Sequence, residues 1–308
     1  MQNMQQTLAR ACSFEGKGLH TGKIAHMTVH PGPIDSGIVF HRTDLGAEAK
    51  LPALADFVSN TARSTTLTRE GVSVVTIEHL MSTLTGLGID NAFVELDNEE
   101  VPILDGSARP YAVAFREAGI VPQEAPRRFL TLDHEVEVRD EKTGSWVKVT
   151  PAPAPAYDVT IDFGSRVLGV QQAHWDFSLD YAVEIAPCRT FVFFHEIEFL
   201  FANNLIKGGD VDNALVLAEH PVPEESLEKM SALFGKPKLK INENGYLNNV
   251  VLHFPNECGR HKLLDMMGDL RLAGGYLNAV VTGYKPGHGI NTVAAKAVRE
   301  ALKKIKRI

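Results

Sequence analysis

At 308 residues, with 44% hydrophobic and 22% charged side chains, the chain has the composition of an ordinary globular protein with room for two domains. A formal net charge of -7 argues against a nucleic-acid binder held by bulk electrostatics. Its three cysteines, Cys12, Cys188 and Cys258, are widely separated and form no Cys-x-x-Cys pair, so any bound metal must use histidines and carboxylates.

The N-terminal stretch 1–10 lacks an apolar core of signal-peptide length, and no run reaches the roughly 18 apolar residues that cross a bilayer. The cytoplasm is therefore the expected compartment, with at most transient contact with a membrane surface. Residues 16–22 are rich in glycine but have neither the dinucleotide spacing nor the Walker pattern, and read as a hairpin turn. Alternating stretches at 25–30, 37–41, 72–77 and 91–96 read as strands, and 78–87 as a helix closed by Gly86 and Gly88. Ser107 is placed to cap a helix over 108–118 that Gly119 ends. The segment 120–129, with Pro122, Pro126, Arg127 and Arg128, reads as a linker, which divides the chain into a first domain 1–121, a linker 122–128 and a second domain 129–308.

In the second half, strands are expected at 129–138, 146–150, 157–163 and 181–185, with Pro151, Pro153 and Pro155 in an extended loop. A helix over 259–272 stops at Gly274-Gly275, a strand follows at 276–284, and 292–304 closes the chain as a helix. Both halves thus run strands, a helix that begins with a histidine, glycines and a strand, the pattern of a duplicated α+β unit. The basic stretches 236–240 and 303–307 read as solubilising charge.

The helix over 259–272 carries the chemistry. His261, Asp265 and Asp269 are four residues apart, so each step rotates only about 40° and the three side chains share one face. Neighbours at this spacing lie about 5 to 6 Å apart at Cβ, near enough for an imidazole and a carboxylate to converge on one metal ion. Such a pair is usually a solvated helix face, and a third ligand is needed. His79 is the candidate, with Glu78 beside it to reach a nearby water. Two histidines, one carboxylate and an open position form a common catalytic zinc arrangement. His288, between Gly287 and Gly289 in an expected loop, would stabilise an oxyanion or protonate a leaving amine, with Asp269 to hold it charged. The aromatic run over 192–201 reads as core packing or as an apolar channel for a lipid tail.

Several ordered motifs extend this pattern over essentially the whole chain: Gly18-Leu19-His20-Thr21-Gly22, Arg42-Thr43-Asp44-Leu45, 76–80, 86–91, Asp105-Gly106-Ser107, Arg189-Thr190-Phe191, 261–270, and Lys285 with Gly287-His288. Through them the chain resembles the UDP-3-O-acyl-N-acetylglucosamine deacetylases, the zinc amidases of lipid A biosynthesis. The resemblance implies an α+β fold of two similar β-α sandwich domains, packed with helices between the sheets and each carrying a small insert. It implies one catalytic zinc ion on His79, His261 and Asp265, Glu78 as general base, His288 as cationic or acid catalyst and Asp269 as its orienting partner. Thr190 would contact the oxyanion, Phe191 would pack on the sugar and Lys262 would touch substrate. An insert over 191–216 would form the acyl passage, lined by Phe194, Ile197, Val211 and Val216. The implied partner is a UDP-linked acylated glucosamine, and the implied protein is a monomer. Two competing readings are a zinc amidase for another acylated sugar and a non-catalytic sugar-nucleotide or lipid-binding protein with structural zinc. At Ala62-Arg63-Ser64 the chain departs from the family, whose members can carry apolar residues or cysteine there, which leaves the shape of that rim open.

Overall fold

The computed structural model describes residues 3–202 and 207–305. Part of the insert (203–206), the first two residues, and the end of the basic tail including Arg307 lie outside this range. The first half contains β1 (Met4–Leu8), β2 (Cys12–Lys17), β3 (Ile24–Pro31), β4 (Ile38–Arg42), β5 (Lys50–Pro52), β6 (Val58–Asn60), β7 (Thr66–Arg69), β8 (Val72–Val74), α1 (Glu78–Gly86), β9 (Ala92–Leu96), α2 (Arg109–Ala118) and β10 (Ile120–Pro126). The second contains β11 (Phe129–Leu130), β12 (Val136–Asp140), β13 (Ser145–Pro151), β14 (Ala156–Asp162), β15 (Val170–Asp176), α3 (Tyr181–Glu184), β16 (Phe191–Phe193), α4 (Phe194–Ala202), β17 (Leu215–Leu217), α5 (Glu224–Leu233), α6 (Glu257–Arg271), β18 (Tyr276–Leu277), β19 (Ala279–Tyr284) and α7 (His288–Ile305).

Each half builds a five-stranded sheet on one plan. The orders are β2-β3-β9-β4-β5 and β12-β13-β19-β14-β15. In each, the central strand runs parallel to one neighbour, β4 or β14, and all other pairings are antiparallel. The registers correspond as well. Val94 lies opposite Val29 and Phe40, Val281 opposite Val149 and Tyr157, and all six side chains are buried. Each central strand can reach its parallel neighbour only by a crossover, and each crossover carries a helix, α1 or α6.

The two crossover helices pack on each other, and α6 also lies on β14 and β15. A Cβ at Gly268 of α6 would stand 2.2 Å from the Glu78 carbonyl oxygen of α1, so the absence of a side chain there permits the approach. One continuous apolar core serves both halves, while a smaller one, including Phe194, Ile197, Val211, Val216, Met230 and Leu247, joins the insert to the segment that follows it. Among the described residues no helix is long and apolar enough to cross a membrane.

Five sequence expectations change. The segment expected as a linker is largely β10, paired antiparallel with β1, and Arg127 reaches back to Asp90 at 2.7 Å. Its prolines are tolerated because a two-stranded ribbon has open edges. Of residues 181–185, which include the β-branched Val183 and Ile185, 181–184 form a helix instead of a strand, because Asp180 caps it by accepting the Ala182 N–H (3.0 Å) and Tyr181 packs against Gly86. The strand expected over 129–138 is broken between β11 and β12, and the strand over 276–284 is interrupted at Asn278, because β11 and β18 pair with each other outside the large sheet. Finally, the closing helix begins a turn earlier than expected, at His288 itself.

Candidate metal centre

Glu78 and His79 open α1, just after Thr76, whose backbone is left-handed (φ 60°) and whose hydroxyl donates to Glu100 (2.7 Å). The α6 face brings His261, Asp265 and Asp269 against that end of α1. The ligating atoms of His79, His261 and Asp265 all lie within 4.8 Å of one another. Asp265 Oδ1 is 3.8 Å from His79 Nε2 and 3.4 Å from His261 Nε2, and the two imidazoles are perpendicular with ring centroids 5.0 Å apart.

These donors fit a divalent cation. Ligands about 2.1 Å from a tetrahedral ion lie about 3.4 Å apart, close to both separations. Asp265 Oδ1 is buried and has no hydrogen-bond partner, an arrangement that costs stability unless a cation meets it. His261 Nδ1 donates to the Cys188 carbonyl (3.0 Å), which leaves the lone pair on Nε2 facing the centre. Burial, reinforced by the neighbouring His261, pushes the His79 pKa down to about 3, and burial also lowers that of His261, so both rings are neutral, the form able to ligate a cation. Burial alone would raise the Asp265 carboxyl, but Lys262, at 2.8 Å from Oδ2, and the surrounding histidines hold it well below the usual carboxylate range. Among the described residues no fourth donor joins the group, whereas structural zinc normally has four.

A second set of groups stands beside the first. Glu78 Oε2 accepts the Thr65 N–H (3.0 Å), and its Oε1 lies 3.8 Å from His288 Nε2. Burial pushes the Glu78 carboxyl up to about 7. His288 Nδ1 is 3.0 Å from Asp269 Oδ2, which also accepts from Asn291 (2.9 Å), while Thr65 donates its hydroxyl to Asp269 Oδ1 (2.6 Å). Burial would lower the pKa of His288, but the carboxylates of Asp269, Glu78 and Asp265 outweigh it and raise the pKa to about 9.

Of these residues, Glu78, His79, His261, Asp265 and His288 line a cavity of about 660 Å³. Thr190, Phe191 and Lys262 line it as well, with the Lys262 ammonium 5.6 Å from the Phe191 ring centroid. Ile197, Val211 and Val216 line the cavity from the insert side, whereas Phe194, a member of the same small core, is not among its lining residues. The turn at 16–22 is a hairpin, closed by Gly18 N–H to the Lys23 carbonyl (2.9 Å), and its Leu19 and His20 border the cavity. Sequence reading missed Thr65, Cys188 and Asn291. Cys188 acts through its carbonyl and Thr65 partly through its N–H, which carry no signature in side-chain spacing; only Asn291, one turn after Gly287, offered a visible cue.

The family model for UDP-3-O-acyl N-acetylglycosamine deacetylase matches residues 5–232 and 236–300. The chain is 43% identical over 299 residues to a bifunctional enzyme LpxC/FabZ of Porphyromonas gingivalis, covering 97% of this chain but only 65% of that relative's length. It is 41% identical over 300 residues to a UDP-3-O-acyl-N-acetylglucosamine deacetylase of Alcanivorax borkumensis, covering 96% and 89% of the two chains. A relative of the same name from Neisseria meningitidis serogroup C is 38% identical over 301 residues, with 96% and 90% covered.

Proposed function

Because the chain belongs to the UDP-3-O-acyl N-acetylglycosamine deacetylase family, we propose that it hydrolyses the 2-acetamido group of a UDP-3-O-(hydroxyacyl)-N-acetylglucosamine, releasing acetate and the free amine for lipid A synthesis. The reading places the enzyme in the cytoplasm as a monomer, with 1–121 and 129–308 as its two domains. The observation that carries it is the unpartnered, buried Asp265 Oδ1 close to two neutral imidazole nitrogens in a cavity that apolar side chains of the insert also line.

His79, His261 and Asp265 would hold one Zn²⁺, which when bound supplies a Lewis acid that polarises the amide carbonyl and brings the pKa of a water from about 15.7 to near 7. Glu78 removes a proton from the attacking water. Its raised pKa matches that task near neutral pH, and the Thr65 N–H fixes one carboxylate oxygen so that the other faces the cavity. His288, cationic at neutral pH and oriented by Asp269, presents Nε2 to the oxyanion or to the departing amine. Thr190 adds a hydroxyl to the oxyanion's surroundings, Phe191 offers a face to the sugar, and Lys262 both neutralises Asp265 and borders the bound substrate. Ile197, Val211 and Val216 would receive the acyl chain.

The direct test is acetate release from UDP-3-O-(3-hydroxymyristoyl)-N-acetylglucosamine by the purified protein, before and after chelation and after zinc is restored. Activity that disappears with the metal and returns with zinc supports the reading; no release, or release indifferent to chelation, rejects it.

A further inference from the structure

Two charged side chains, one from each half, meet across the cavity entrance. Arg63 lies in the loop between β6 and β7, Glu196 in the first turn of α4, and both line the cavity while remaining 49% and 36% exposed. Residues that both line a cavity and meet solvent mark its opening. Arg63 Nη2 is 3.4 Å from Glu196 Oε1. Each partner is held in place from behind. Arg63 has a left-handed backbone (φ 66°), disfavoured for a residue with a Cβ, and the loop is supported by the Ala62 N–H donating to Asn60 Oδ1 (2.9 Å). Glu196 uses its other oxygen to accept the Phe193 N–H (3.3 Å).

Elsewhere around the cavity the halves are joined by backbone hydrogen bonds, Thr190 N–H to the Gly106 carbonyl (2.9 Å) and Gly208 N–H to the Leu19 carbonyl (3.2 Å). The Arg63–Glu196 tie differs in being made by two half-exposed charges at a long separation, which water and salt compete with readily. It is therefore the most readily broken of these ties, and next to Glu196 on α4 stands Ile197, which lines the cavity.

We propose that the Arg63–Glu196 pair is a clasp across the entrance that sets how fast an acyl chain enters and leaves the cavity. This rests on the reading that the insert receives an acyl chain. A clasp that touches no ligand alters entry and exit equally and leaves affinity unchanged, whereas a direct ligand contact alters affinity.

Stopped-flow exchange of the fluorescent fatty acid cis-parinarate on the zinc-loaded full chain separates the two. In R63A and E196A, association and dissociation should both accelerate roughly two- to five-fold, the range for an exposed ion pair, with Kd unchanged. The charge-exchanged double variant R63E/E196R should restore slow exchange, and about 0.5 M salt should speed the wild type toward the single variants. Unchanged rates, a Kd shift without parallel rates, failure of the exchanged pair to restore, or no binding of parinarate to the wild type would each overturn the clasp. A wild type that releases acetate but exchanges parinarate indifferently to these variants loses the clasp alone. One whose exchange depends on the pair but that releases no acetate loses the deacetylase reading alone.

Discussion

At Glu78 and His288, burial and charge pull against each other, and the outcome sets the chemistry. Burial wins at Glu78 and keeps a carboxyl protonated to about pH 7; three carboxylates win at His288 and keep an imidazole protonated to about pH 9. A base must be deprotonated and a cationic catalyst protonated. Activity should therefore rise as pH passes about 7, fall as it passes about 9, and trace a bell in kcat/KM; a profile flat from pH 6 to 10 would separate these groups from the reaction. Replacing Glu78 with Ala should lower turnover by a factor on the order of 100 or more with metal content unchanged, as read by acetate release alongside metal analysis. Asp265→Ala should do the reverse, losing the metal itself, because only two imidazoles would remain as ligands. Metal stoichiometry equal to wild type would contradict that assignment.

At the scale of elements, the centre depends on how closely two helices approach. Glu78 and His79 come from α1, and His261, Asp265 and Asp269 from α6. Thr65, from just before β7, ties both sets together by donating its N–H to Glu78 and its hydroxyl to Asp269. Gly268 is the contact point, with no room for a methyl group against the Glu78 carbonyl. Gly268→Ala should push the helices apart and impair metal retention and turnover together while the protein still folds around its two sheets. Backbone displacements on the order of 1 Å can cost about 100-fold in rate. A variant with wild-type metal content and rate would show that the helices tolerate the displacement.

Across the whole molecule, a cation gripped by residues from both halves would link them. Ligands that bind only the folded state stabilise it by mass action, about 2.7 kcal/mol at a hundredfold excess over Kd. Chelation should accordingly lower Tm by several degrees, and zinc should restore it. Calorimetry that shows the same Tm with and without chelator would remove the metal from the folding equilibrium.

The periodicity at 261–269 was readable directly, since residues four apart on any helix share a face whatever surrounds them. So were the strands at 25–30 and 157–163, where alternation matches a sheet with one buried side, and the helix ended by Gly119 (φ 88°). The motifs that carry the family likeness were equally local. Tertiary structure alone decided the rest. Residues 181–185 had strand-forming side chains but a capping Asp180, and position against Gly86 settled the contest. His288 looked like a loop residue until Asp269 of α6, itself fixed by Asn291, held it at the head of α7. Above all, bringing His79 to His261 depends on two sheets of identical order that set their crossover helices face to face, a contact between segments far apart in the chain that no local pattern encodes.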